Sequence, residues 1–255
     1  METGDHILQS YDQELEDIRS KAMTMGGMVE KQVRCALQAV LERDVELGEL
    51  VAASDGDIND LEVDIDEECA GIIARRQPAA GDLRLLLSII KVTTDLERIG
   101  DEAEQIGLYA SQLGNQVSNQ GMSAQLRHLG ELAHSLLKLA LDSFARMDDL
   151  QAIDVVKKSR RISKEFDDLS RVLITHMMDD TRNIKNALRV IWCARAFERI
   201  GNHSTNICEF VIYRVKGKDI RHTNLKKVRK KLYPETLKAE DRAENLAGSK
   251  TSSSN

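Results

Sequence analysis

Two acid pairs at helical spacing are the residues of this chain best suited to chemistry: Glu62 with Asp66, and Glu97 with Asp101. Side chains four residues apart share one face of an α-helix. Each pair therefore presents two carboxylates side by side. If the two helices that carry them are antiparallel neighbours, all four acids converge. Converging carboxylates raise one another's pKa unless a cation sits among them. An oxygen-rich set of this kind suits Mg, Mn or Fe ions, and Zn also accepts carboxylates. The same spacing equally describes an ordinary solvated flank, with Arg75, Arg98 and water neutralising the acids.

The second pair lies in a stretch that recurs. Asp95-Leu96-Glu97-Arg98-Ile99-Gly100-Asp101 returns as Ala196-Phe197-Glu198-Arg199-Ile200-Gly201-Asn202. The acids do not return with it. The positions matching Glu62 and Asp66 are Phe166 and Ser170, and Asp101 becomes Asn202. Only Glu198 keeps its charge, with Glu209 further along the same flank. The second half is thus expected to bind metal poorly or not at all.

These residues need long helices to carry them. Apolar residues at Leu15, Ile18, Ala22, Met25, Val29, Val33, Ala36 or Leu37, and Val40 step by threes and fours, which predicts an amphipathic helix of many turns. Gly26-Gly27 within it predicts a kink or a close helix neighbour. After a turn near 42–45, Leu47, Leu50, Ile58, Leu61, Ile65, Cys69 and Ile72 mark a second helix. Pro78 ends that pattern and starts a third, running to about Ser111. On this third helix Leu85, Ile89, Val92, Leu96, Ala103 and Ala110 form the expected core line. Arg84, Lys91, Asp95, Arg98 and Glu102 fall on the opposite face, expected to be solvated.

The pattern then restarts, with three further helices through Phe144, Leu173 and Val215. A repeat of about one hundred residues is too long for a solenoid and describes two homologous domains. The predicted fold is all-α: two antiparallel three-helix bundles in tandem. The boundaries are an arm at 1–9, a bundle at 10–113, a linker at 114–123, a bundle at 124–216, and a basic segment with a disordered tail at 217–255. On the sixth helix Trp192 and Phe210 project onto the face that is charged in the third. Exposed aromatics mark a partner surface; packing beneath the C-terminal segment is the alternative for the same residues.

Composition narrows the function classes. Aromatics make up 4% of the 255 residues and prolines number 2, which disfavours a β-sandwich or barrel. The net charge of −6 gives no general case for nucleic-acid binding. The basic run from Lys216 to Lys231 suits an acidic or phosphate-bearing partner, or a solvated terminal segment. Cys35, Cys69, Cys193 and Cys208 lack metal-finger spacing and read as thiols in a reducing compartment. No signal peptide or spanning segment is evident, so the chain reads as cytoplasmic. No nucleophile–base pair, glycine-rich phosphate loop or organic-cofactor motif is present, so no catalysis is expected. The six histidines include a single Glu-xx-His, Glu131 with His134, where a redox or metal-storage di-metal bundle takes two. A DNA-binding repressor would have only Leu225 to Lys231 as a recognition helix.

Several motifs in order resemble one family. Met23-Thr24-Met25-Gly26-Gly27-Met28-Val29-Glu30, Ile72-Ile73-Ala74-Arg75-Arg76-Gln77-Pro78, Asp82-Leu83-Arg84 and both copies of the recurring stretch are similar to the PhoU family of bacterial phosphate-uptake regulators. The segment from Asn206 to His222 resembles its enterobacterial-type members. The resemblance covers residues 10–222 and implies two three-helix bundles. It also implies a homodimer, peripheral to the inner membrane through its partners. Those partners are the ATPase subunit of the phosphate ABC transporter and a phosphate sensor histidine kinase. The implied role is negative regulation of phosphate uptake and of the phosphate-starvation genes. Some members hold metal clusters on acidic motifs, which would map here onto Glu62, Asp66, Glu97 and Asp101.

Overall fold

The structure, a computed structural model, describes residues 2–54, 56–113, 120–221 and 223–235. Among these the order is α1 (Glu2–Glu42), α2 (Val45–Ala52), α3 (Gly56–Arg76), α4 (Ala80–Leu113), α5 (Gln120–Arg146), α6 (Asp149–Asp179), a 3₁₀ turn (Thr181–Asn183), α7 (Ile184–Lys216) and α8 (Leu225–Leu232). There is no strand among the described residues. The all-α expectation therefore holds, as two antiparallel bundles: α1, α3 and α4 with α2 beside them, then α5, α6 and α7.

The apolar steps read from the sequence become the core. Ile18, Ala22, Met25, Val29, Val33 and Val40 are buried along α1, each large one contributing about 1.5–3 kcal/mol over exposure. Matching turns close both halves. Arg43 and Met147 take left-handed φ values of 59° and 51°. The aspartate after each then caps the next helix: Asp44 accepts from the Leu47 N–H, and Asp148 from Leu150 and Gln151. Carboxylate caps of this kind satisfy N–H groups that the helix leaves orphaned. Gly217, at φ 65°, ends α7 with its N–H on the Tyr213 carbonyl, as a left-handed C-terminal glycine does.

Several boundaries differ from the sequence reading. Helical backbone already begins at Glu2, within the expected arm at 1–9. Helix α5 begins at Gln120, inside the expected 114–123 linker, whose remaining residues 114–119 lie outside those described. The expected second helix is two, because Ser54 turns back on the Val51 carbonyl at the end of α2. The break lets α2 cross α4 at close range: a Cβ added to Gly48 would stand 2.8 Å from the Gly107 carbonyl oxygen. Of the paired glycines in α1, Gly26 meets Leu141 of α5 while Gly27 faces open space. Helix α8 carries basic residues on a short element whose Leu225 and Val228 are buried. Of the expected basic segment and tail at 217–255, residues 222 and 236–255 lie outside those described.

One hydrophobic core runs through both repeats. Helix α4 packs on α1, α2 and α3 in its own half and on α7 in the other; α7 packs on α5 and α6 as well. The two helices that carry the recurring motif therefore face each other at the centre. This corrects the expected solvated face of α4. Asp95 and Glu102 are buried there, and Leu85, expected in the core, is only partly buried.

Candidate functional site

The four acids singled out for metal chemistry do not assemble as a ligand set. Glu62 and Asp66 are half-buried on α3, Glu97 is half-buried on α4, and Asp101 is exposed. Among the described residues no group of three or more His, Cys, Asp or Glu side chains is placed to hold a metal ion. Asp66 does have a buried Oδ1 without a hydrogen-bond partner, and burial raises its carboxyl pKa. One strained acid is short of the several oxygen ligands that hard cations take.

What the fold does bring together is a polar seam between α4 and α7. Asp95, 4% exposed, accepts from Asn206 Nδ2 at 3.0 Å and lies 2.7 Å from His203 Nδ1. Seven residues along α4, two helical turns, Glu102 pairs with Arg199 Nε at 3.0 Å. Burial raises the Glu102 carboxyl pKa, against which the charges of Arg199 and His203 act. The seam is asymmetric even though the repeat is symmetric. By motif register Glu102 matches His203 and Asp95 matches Ala196, so the two halves supply complementary groups rather than copies. Buried polar groups of this kind fix which faces pack, because a slipped arrangement leaves them unpartnered.

Glu198, the acid shared by both motif copies, is satisfied without a metal. Its Oε1 accepts from Ser163 Oγ at 2.8 Å and from Asn202 Nδ2 at 3.3 Å, and its Oε2 from Arg195 Nη1 at 2.5 Å. The Arg195 guanidinium in turn lies 5.4 Å from the centre of the Phe166 ring, within cation–π range. Phe166 and Asn202, which replace acids of the first half, thus belong to a closed arrangement with its own cation.

The two aromatics expected on a partner surface part company. Trp192 is 46% exposed, its ring 5.2 Å from that of Tyr109 at an interplanar angle of 37°. Phe210 is buried, with Lys91 Nζ 5.8 Å and the Arg221 guanidinium 5.5 Å from its ring centre. It packs beneath the segment that follows α7, and is not a surface residue. The reason is the same α4–α7 contact that buries Asp95.

Glu209, one turn before Tyr213, is half-buried close by. Burial first, then the charges of Asp219 and Asp95, push its carboxyl from 4.5 up to about 7, against the pull of Arg221. A carboxyl raised on folding stabilises the protein fully below its unfolded pKa, and that contribution fades as pH rises through the folded value. Glu209→Gln is expected to raise the melting temperature at pH 8, by the equivalent of about 2 kcal/mol, and to leave it near the parental value at pH 5. Thermal melts at both pH values check this; equal shifts at the two would contradict it.

Sequence reasoning missed Asp95, Glu102, His203 and Asn206. The signal was present: Asp95 and Glu102 are seven apart, His203 and Asn206 three apart, so each pair shares a helical face. Recognising that the motif helices pack on each other was the step required.

The family model described as "PhoU domain" matches residues 22–110 and again 126–211. A phosphate-specific transport system accessory protein PhoU homolog of Pseudomonas putida is 45% identical over 223 residues, covering 88% of this chain and 87% of the relative. The phosphate-specific transport system accessory protein PhoU of Escherichia coli K12 is 42% identical over 217 residues, 85% of this chain and 90% of its own. The crystal structure of PhoU from Pseudomonas aeruginosa superposes with a TM-score of 0.79 at 45% identity, covering 82% of this chain and 100% of that one. The phosphate transport system regulatory protein PhoU from Streptococcus pneumoniae gives 0.76 at 30% identity, covering 82% and 98%.

Proposed function

This chain belongs to the PhoU family, whose members are regulatory accessory proteins and not enzymes, and from that premise we propose that it restrains phosphate uptake as an adaptor. It joins the ATPase subunit of the phosphate ABC transporter to a phosphate sensor histidine kinase. With phosphate abundant, it holds the kinase in the state that keeps the phosphate-starvation genes repressed. The observation that carries the reading is the match to named phosphate-transport accessory proteins over most of both chains.

The geometry supports a rigid non-catalytic part. A continuous core through both repeats and a buried polar seam give one body with long exposed faces, as an adaptor requires. No helix among the described residues is long and apolar enough to cross a membrane, so contact with the membrane is taken to run through the partners, from the cytoplasmic side. A homodimer completes the proposal.

Trp192 is the partner-facing residue of this reading. An exposed tryptophan packed at a tilt against a second aromatic has the chemistry of an interface anchor. Cross-linked capture from phosphate-replete cells is expected to recover the transporter ATPase and the kinase. Trp192→Ala should reduce that recovery about tenfold while the melting temperature stays near parental. Capture of neither partner would contradict the adaptor role, and undiminished capture by the variant would contradict this surface.

A further inference from the structure

Helix α8 turns its apolar side inward and leaves a face of lysines to solvent. Leu225 and Val228 are buried, as are Ile220 before the helix and Tyr233 after it. The Asn224 side chain caps the helix by accepting from the Lys226 N–H, and the Lys216 ammonium lies 5.4 Å from the centre of the Tyr233 ring. At about 100° per residue, Lys226, Lys227, Lys230 and Lys231 fall opposite the apolar residues, and all four are exposed. No acid stands on α8; Glu235 follows it.

Lys218, between α7 and α8, adds to the same charge. It meets Lys231, and contact with that side chain, then its charge, lowers the Lys218 pKa. The adjacent Asp219 accepts from Arg221 through both oxygens. Ammonium groups held this close repel, and a nearby anion relieves them.

The chemistry of the face selects its partner. Its exposed charges are lysines, point charges on flexible stems, without the arginine fork that reads bases or clamps one phosphate. None of the residues exposed on α8 is aromatic, so there is no platform for stacked bases. An acidic protein takes an apolar anchor at the centre of its contact, and those of α8 are packed inside. A sheet of anionic lipid headgroups needs neither fork nor anchor, only spread positive charge. A second basic stretch, Lys157, Lys158, Arg160 and Arg161 of α6, is exposed as well, but Asp154, Glu165 and Asp167 flank it on the same helix.

We propose that the lysine face of α8, with Lys218 beside it, docks this protein directly on an anionic membrane surface. The contact is electrostatic and does not insert, because the apolar side that would enter the bilayer is already packed in the core. It goes beyond the adaptor reading, in which membrane contact runs through partners, and it is testable without them.

The test is sedimentation of the full chain with vesicles that carry no protein. Vesicles of equal parts phosphatidylglycerol and phosphatidylcholine are expected to bind it, and vesicles of phosphatidylcholine alone are not. Raised salt should release it. Changing Lys226, Lys227, Lys230 and Lys231 together to Gln should weaken binding at least about tenfold, with the melting temperature near parental because all four are exposed. The same four changed to Arg, which keeps the charge, should retain binding. Lys157, Lys158, Arg160 and Arg161 changed to Gln remove as much charge from α6 and should leave most of the binding in place. Equal recovery with both kinds of vesicle, or with neither, would overturn the proposal. So would an equal loss from the α6 changes, which would make net charge the cause, or displacement from the vesicles by an equal charge of duplex DNA, which would assign the face to nucleic acid.

Discussion

Asp95→Ala is expected to destabilise the protein by about 3 kcal/mol, a fall in melting temperature of roughly 6–12 °C for a chain of this length. Asp95 is almost fully enclosed and serves His203 and Asn206 together. Truncating it leaves both α7 groups inside the α4–α7 contact without their acceptor, and an abandoned buried partner costs more than the pair contributed. Asp95→Asn, which keeps one oxygen, should lie between the two. A double-mutant cycle with His203→Ala separates the shared interaction from simple truncation: the two losses should fall short of additive by about 1 kcal/mol or more. Denaturant unfolding measures all of these. A loss below about 1 kcal/mol for Asp95→Ala would mean that the seam does not hold the repeats together.

Gly107→Val should cost a comparable amount, about 3 kcal/mol, for a steric reason. A Cβ at Gly107 would stand 2.7 Å from the Gly48 carbonyl oxygen and 3.0 Å from Val51 Cβ. The first obstacle is backbone, so no rotamer change relieves it and α2 must move off α4. Gly27→Ala is the matched control. Nothing lies within 4 Å of its added Cβ, so the change should stabilise α1 by up to about 1 kcal/mol through helix propensity alone. Thermal or chemical melts compare the two directly. Stability unchanged by Gly107→Val would show that the close crossing of α2 over α4 is not formed.

Much of this architecture was legible from residue spacing. The buried line through Ile18, Val29 and Val40, the break at Pro78 and a restart, expected at 124 and found at Gln120, follow from the apolar period and the helix stop signals. The expected core line of α4 was mostly right at Ile89, Val92, Leu96, Ala103 and Ala110. Its opposite face was not, for a definable reason. Amphipathic reasoning gives a helix one buried side, yet α4 lies between its own bundle and α7 and has two. Asp95 and Glu102 looked solvated because they are charged, and they are buried because α7 brings His203, Asn206 and Arg199 to meet them. For Phe210 the same second buried side selects between the two readings, and the ring packs beneath the segment that follows α7. The split between α2 and α3 was signalled by Ser54-Asp55-Gly56, but the apolar steps at Leu50 and Ile58 carry straight across it. For the acids, i, i+4 spacing places two carboxylates on one helix face and says nothing of whether a second helix arrives at the matching height and rotation.

The seam ties the fold to the proposed role. Two motif copies locked across α4 and α7 keep the outer faces of both bundles at fixed spacing, so partners bound on either one sense a single body. Loss of the whole protein should then uncouple the genes from phosphate supply. The direct measurement is a phosphate-starvation promoter reporter in a deletion strain grown with excess phosphate. Expression is expected at the starved level, returning to repression when the chain is supplied in trans. Normal repression in the deletion strain at high phosphate would contradict the regulatory role itself.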